Sequence, residues 1–326
     1  MKLVIVREFS QERIVLVMAV ILFVVFAILI DGFLQGSNIL SIVQNVSVLG
    51  ILGVGMAMSI IGRGIDLSVV SVMAYSVAWS LSLYHMGLNL PLSLLLGLGF
   101  AIFVGLFNGI LIAYIEIPAI FATLASGIAV AGFGQYFLVN TDVVFVPETV
   151  GWLLNVGSGR SFGIPNSVIS LAVVSAALFW ILHRTVFGRY LFAMGDNPMA
   201  ARVAGIPVRP MMIAQYILTA VIAFIAGIVT AMAVESMNTR VVNSTLVYDV
   251  ILIAVIGGIS LSGGRGSVRN VLVGTIMIGI LLNGMTMMNM PYTAQNIVKG
   301  IILLLAIIVD SYFNPRDEQT SQQGDI

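Results

Sequence analysis

Apolar stretches long enough to cross a lipid bilayer follow one another along nearly the whole chain, and no other feature limits its fold as strongly. The first, Ile14–Ile30, carries no charge. The others lie at about Ile39–Ile61, Leu67–Tyr84, Leu90–Ile115, Pro118–Val139, Asn166–Leu182, Pro210–Val234, Val247–Leu261, Val271–Met288 and Thr293–Tyr312. A hydrocarbon core about 30 Å thick offers no water to a stray peptide group, so each stretch has to close its backbone hydrogen bonds within a helix. The chain therefore reads as an all-α polytopic membrane protein of about ten transmembrane helices. Its composition agrees, with 60% hydrophobic residues, 9% charged residues and a mean hydropathy of +1.11, far from the range of a soluble domain.

The few charges orient the bundle. With the N-terminus in the cytoplasm, an even number of spans returns the C-terminus there. Eleven basic residues then fall inside: Lys2, Arg7, Arg13, Arg63, Arg184, Arg189, Arg202, Arg209, Arg265, Arg269 and Arg316. Only Arg160 and Arg240 fall outside, the bias expected of cytoplasmic loops. This predicts a cytoplasmic segment at 1–13, a membrane domain at 14–312 and a solvated, disordered cytoplasmic tail at 313–326. No small-residue cleavage site follows the first run, so it reads as a retained span. The longest external segment, Asn140–Pro165, carries Trp152, a residue suited to the headgroup belt. It has room for a short surface helix that could meet an extracytoplasmic partner.

Several kinds of chemistry are excluded. Cysteine is absent and the two histidines, His85 and His183, stand far apart, so neither thiolate chemistry nor a metal site is expected. No GxxxxGK[ST] phosphate loop occurs, so the chain needs a partner to hydrolyse ATP. No constellation of Ser, His and Asp or paired carboxylates falls at membrane depth, which sets aside an intramembrane enzyme. An ion-coupled secondary transporter remains the alternative class, although its midplane carboxylates are not evident because the acidic residues cluster near helix ends.

One polar island stands out between the apolar runs, at residues 184–209. Gly188 and Arg189 open it. Gly195-Asp196-Asn197-Pro198 is a helix-start signal, with Asp196 or Asn197 as cap and Pro198 at the first helical position. A short helix over Met199–Val203, containing Ala200, Ala201 and Arg202, should end at Gly205, before Ile206 and Pro207. Two further breaks carry polar residues. In Gly62-Arg63-Gly64-Ile65-Asp66-Leu67-Ser68, Asp66 or Ser68 can cap the helix that follows. Ser262-Gly263-Gly264-Arg265-Gly266 reads as a tight cytoplasmic turn. The glycines at Gly50, Gly53, Gly55, Gly105, Gly109, Gly274, Gly279 and Gly284 suit close helix packing.

Charges and amides within the spans are the remaining candidates. Asp249 and Lys299 both enter their spans from the outer side and are expected to pair, as structural glue in preference to the alternative of substrate contact. Gln44, Asn45, Asn108, Gln135, Asn283 and Asn289 could each offer a donor and an acceptor to a solute hydroxyl, or equally bond one helix to another.

These segments carry a family resemblance. FGRYLFAMGDNPMAARVAGIPVR at Phe187–Arg209, GRGIDLSVVS at Gly62–Ser71, LVYDVILIAVIGGISLSGGRGSV at Leu246–Val268 and IVKGIILLLAIIVD at Ile297–Asp310 resemble the ribose-type sugar permeases of ATP-binding-cassette importers, over residues 35 to 312. Branched-chain amino acid permeases share a looser form of the 187–209 segment. The family shows glycine where Val70 stands, so the start of this helix is expected to pack differently. The LSGG tetrapeptide at Leu261–Gly264 is similar to an ATPase signature but lies beside an apolar span. The resemblance implies a permease subunit of the bacterial inner membrane that translocates a monosaccharide or related small polar solute. It also implies cytoplasmic ATPase subunits that dock on 184–209 and use ATP and Mg, a second permease copy and a periplasmic sugar-binding protein. This chain would bind no cofactor and no nucleic acid. An inverted repeat relating the two halves is a further expectation, echoed by Gly62-Arg63-Gly64 and Gly264-Arg265-Gly266.

Overall fold

A computed structural model describes residues 11–313. Most of the expected N-terminal segment and nearly all of the expected tail, including Lys2, Arg7 and Arg316, lie outside the described residues, as does the side chain of Trp152. In chain order the helices are α1 (Gln11–Leu29), α2 (Gly36–Ile61), α3 (Val69–His85), α4 (Leu90–Ala113), α5 (Ala119–Phe133), α6 (Gly151–Leu154), α7 (Asn166–Arg184), α8 (Val186–Asp196), α9 (Pro198–Val203), α10 (Val208–Ala233), α11 (Leu246–Gly257), α12 (Val268–Met287) and α13 (Tyr292–Phe313). A π-helical turn, Gly134–Val139, extends α5. Four short strands form two ribbons: β1 (Val143–Phe145) pairs with β4 (Ser236–Asn238), and β2 (Arg160–Ser161) pairs with β3 (Ile164–Pro165).

Eight of these helices are long and apolar enough to cross a membrane. The other two members of the expected ten are shorter and more deeply enclosed. α3 has 17 residues, and its serines explain both its low hydropathy and its place in the core. Ser76 donates to the carbonyl of Val72 at 2.5 Å and Ser80 to that of Ser76 at 2.9 Å, so the hydroxyls are satisfied inside protein rather than facing lipid. α11 has only 12 residues, a rise of about 18 Å. The run expected to continue to Leu261 stops at Gly257 because Gly258 adopts a left-handed conformation (φ +96°). There the amides of Gly258 and Ile259 bond back to Val255 and Ala254, a Schellman ending. The non-helical residues beyond are surrounded by protein, where irregular backbone is tolerated at membrane depth.

α2 forms the axis of the bundle. α10, α12, α7 and α11 pack directly on it, α3 and α4 pack on α10, and α1 and α13 lie at the periphery. Small residues permit the closest approach. A Cβ at Gly105 would sit 2.6 Å from the carbonyl oxygen of Tyr216, and one at Gly109 would sit 2.6 Å from the Cα of Ile213, so α4 and α10 touch backbone to backbone.

The connections sort to two ends. At one end the turns at 62–64, 195–196 and 262–264 meet. At the other end β1 pairs with β4, His85 Nε2 bonds the carbonyl of Phe145 at 3.0 Å, and Arg240 pairs with Asp142 at 2.5 Å. The segment Asn140–Pro165 holds a short helix, the four-residue α6, together with a strand, a 3-10 turn at Glu148–Val150 and the β2–β3 ribbon.

Candidate functional site

The polar island is more ordered than a loop with one knob. Its first part is the 11-residue α8, begun by Thr185, whose hydroxyl accepts from the amide of Gly188. Gly188 is required by packing, since a Cβ there would lie 2.0 Å from the carbonyl oxygen of Leu182. Asn197 rather than Asp196 caps α9: its Oδ1 accepts from the amide of Ala200 at 2.9 Å, with Pro198 in the first turn. Gly205 (φ +82°) ends α9 as its amide bonds back to Arg202 and that of Ile206 to Ala201. The six-residue helix is thus fastened at both ends by local chemistry. Ala201 is its buried foot, while Met199, Ala200, Arg202 and Val203 face outward, Val203 at 89% exposure. Arg189 is also exposed. Arg209 is tied to Glu116, in the turn between α4 and α5, at 2.9 Å.

Asn197→Ala is expected to cost α9 about 1 kcal/mol. Amide hydrogen exchange of Ala200–Val203 should quicken roughly fivefold, with the global melting temperature little changed.

The turn after α2 is built like that after α9. The amide of Gly64 bonds back to Ser59 and that of Arg63 to Ile60, again a Schellman ending, with Arg63 in the left-handed position (φ +67°) where glycine is usual. Asp66 is not the cap of α3. Its Oδ1 accepts from the amide of Ser68 at 2.9 Å and from the Ser68 hydroxyl at 2.5 Å, an Asx turn that presets the helix start. Thr123 on α5 accepts from the amide of Leu67 and donates to the carbonyl of Ile65, and Asn108 on α4 donates to Ser68 Oγ at 2.9 Å. Burial pushes the Asp66 carboxyl up to about 6. Val70, in place of the family's glycine, is buried in the first turn of α3.

The three polar segments converge on one node. The amide of Gly264 donates to the carbonyl of Ile61 at 2.8 Å. Gly195 lies directly over this bond: a Cβ there would be 1.9 Å from the Ile61 oxygen and 2.6 Å from the Gly264 nitrogen. Gly263 and Gly264 (φ +83° and +70°) press against Gly195 and Asp196, and Gly263 also meets Arg63. The end of α8 is therefore wedged between the turn that terminates α2 and the 262–264 turn that follows α11. Gln215 and Tyr216 of α10 complete the node from within. Gln215 Nε2 donates to the carbonyl of Ser59 at 2.9 Å, and Ser59 shares a 2.8 Å hydroxyl bond with Thr219. None of these three α10 residues was a sequence candidate, although Gln215, an amide inside an apolar run, was the available signal.

Asp249 and Lys299 lie at the opposite end. Lys299 Nζ is 2.8 Å from Asp249 Oδ1 and 2.8 Å from Thr245 Oγ1, and both charged residues are buried. Tyr292 and Asn296 also bond Thr245. Near the other end of α13, Asp310 accepts from the amide of Leu261 at 3.1 Å. α13 is thus fastened to α11 and the turn after it by polar bonds at two points.

The candidate amides are dispersed. Asn108 bonds Ser68 beside the turn after α2, and Gln135 accepts from Tyr75 and Thr239 near the β1–β4 ribbon. Asn283 forms a reciprocal amide pair with Asn38 at 2.8 and 3.1 Å. Asn289 is the left-handed residue (φ +54°) just after Met288, the C-cap of α12, and Gln44 is half-buried and Asn45 exposed on α2. Asn108, Gln135 and Asn283 each bond another segment of the chain.

A helical membrane domain of at least eight spans, in which α8 is wedged between two turns and carries the short capped α9, is the setting of a membrane transport component. The chain belongs to the family described as branched-chain amino acid transport system / permease component, whose model matches residues 38–307. It is 31% identical over 309 residues to the ribose import permease protein RbsC of Escherichia coli (strain K12), covering 94% of this chain and 95% of that one. It is 36% identical over 285 residues to the galactofuranose transporter permease protein YtfT of the same organism, covering 87% and 82%. With the fructose import permease protein FrcC of Rhizobium meliloti it shares 29% identity over 310 residues, covering 93% and 86%. No solved structure matches significantly.

Proposed function

We propose that this chain is the membrane subunit of an ATP-driven importer that carries a monosaccharide or related small polar solute across the bacterial inner membrane. The observation that carries the reading is α9: a doubly capped knob with Met199, Arg202 and Val203 turned outward, joined to α8, whose Gly195 is held against the end of α2 and the 262–264 turn beyond α11. Such a knob suits the groove of a cytoplasmic ATPase, which would bind ATP and Mg. Its contacts could pass ATPase closure to the bundle as a shift between inward- and outward-facing states. Ten spans with both termini in the cytoplasm place this node inside and the β1–β4 ribbon outside, where a sugar-binding protein would deliver the solute to a pathway shared with a second permease copy. The class of solute follows the relatives, whose names specify ribose, galactofuranose and fructose. Asp249 and Lys299 act as glue in this reading, since a neutral sugar does not need full charges.

Uptake of labelled ribose, xylose, arabinose, fructose and galactofuranose, measured in cells with and without this chain, tests it. At least one sugar is expected to lose uptake with the chain, and that uptake should vanish on ATP depletion and survive a protonophore. Uptake that instead tracks the proton gradient would mean an ion-coupled secondary transporter.

A further inference from the structure

Two neighbouring residues of α10 place polar atoms in the inner node without a partner. Among the described residues, neither Gln215 Oε1 nor Tyr216 Oη has a hydrogen-bond partner, although both side chains are almost wholly buried. A buried polar atom left unbonded is costly and rare enough to require a reason. These two lie against the turn that ends α2. A Cβ at Gly62 would be 1.9 Å from Gln215 Oε1, and one at Gly64 would be 2.2 Å from Tyr216 Oη. Just past that turn is Asp66, buried and accepting only from Ser68 in the hydrogen bonds seen here. It is close enough to Tyr216 for the two to interact electrostatically.

A donor without an acceptor thus stands near a carboxylate with acceptor capacity to spare, with a two-glycine turn beside them. We propose that Tyr216 and Asp66 form a switch. In this conformation the Tyr216 hydroxyl is held off by the Gly62–Gly64 turn, and in the alternate state of the transport cycle it donates to Asp66. The device rests on the importer reading, because the coupling segment packs on the same turn: Gly195 lies over the Ile61 carbonyl, which accepts from Gly264. Movement of α9 by an ATPase passes to the adjoining α8 and from there reaches Tyr216 through three contacts: Gly195 of α8 on Ile61, the turn itself, and Gly64 on Tyr216. The unbonded hydroxyl penalises the present state and the new bond favours the other, so the pair biases a two-state element at its hinge.

Tyr216→Phe separates this role from a structural one. A hydroxyl whose sole state is the unbonded one is dispensable, and removing it should leave transport intact and stability equal or higher. The switch predicts the same equal or higher melting temperature with a fall of at least tenfold in solute transported per ATP hydrolysed. Both rates would be read in the same proteoliposomes, with the panel sugar taken up best and with the ATPases and binding protein present. Asp66→Ala should lower the ratio in the same way, and the double variant should fall no further than either single one. An unchanged ratio, a loss of transport that only parallels a loss of stability, or additive losses in the double variant would overturn the switch. Absence of ATP-dependent uptake by the unsubstituted transporter would instead overturn the importer reading.

Discussion

Gly195→Ala is expected to abolish ATP-driven uptake, with a drop of about 100-fold at matched protein levels, whereas Gly300→Ala is expected to have no effect. The added methyl at 195 would meet the backbone oxygen of Ile61 at 1.9 Å and the backbone nitrogen of Gly264 at 2.6 Å. Backbone atoms cannot swing aside as a flexible side chain can, so α8 has to lift off the node or the Ile61–Gly264 bond has to break. Overpacking of this kind costs about 1–3 kcal/mol where the surroundings relax, and here relaxation would detach the coupling segment from two spans. Gly300 sits in helix α13 with nothing within 4 Å of the corresponding Cβ, so alanine there gains helix propensity at no steric cost. ATP hydrolysis and sugar uptake measured together check the expectation. Hydrolysis by the ATPases should persist unstimulated in Gly195→Ala, and uptake at the unsubstituted rate would show that the node carries no coupling.

Lys299→Met should be the most destabilising single change at the opposite end, by about 3–5 kcal/mol, because it strands the Asp249 carboxylate in a buried site. Thr245 also loses the ammonium that donates to it at 2.8 Å. Adding Asp249→Asn should recover most of the loss, since a buried ion pair replaced as a unit is often nearly neutral. Thermal unfolding of the four proteins of this cycle in lipid nanodiscs measures the coupling. If both single variants melt with the unsubstituted protein and transport normally, the pair does not fasten α13. α13 is the sensitive reporter because most of its surface faces outward, leaving few contacts besides the Lys299 and Asp310 bonds to α11 and the turn after it.

Both expectations join features that differ in how far they could be read from the chain. The caps of α9 are local: Asn197, Pro198 and Gly205 act on amides within three or four residues, so their spacing in the sequence carries the geometry. The same holds for the apolar runs, since a peptide group in lipid has one way to be satisfied within its own segment. The end of α11 was harder to place. Apart from Asp249 near its start, Val247–Leu261 reads as one apolar run, and the left-handed Gly258 shortens the helix, a conformation that a Gly-Gly pair permits without requiring it.

The amides illustrate the opposite limit. Asn108, Gln135 and Asn283 are equally fit to bind a sugar or another helix, and what assigns them is the identity of a neighbour 40 to 245 positions away. Gln215 and Tyr216 lie in a run whose hydropathy marks it as a span and says nothing of which face meets a turn. Hydrophobicity and capping are properties of a residue and its immediate neighbours, and they settle the helical membrane class, the two-ended cap of α9 and the two glycine-rich turns. The meeting of those turns with α8, the Asp249–Lys299 bond and the unbonded Tyr216 hydroxyl come from helices packed across the bundle, because close approach is a relation between segments that no single segment encodes.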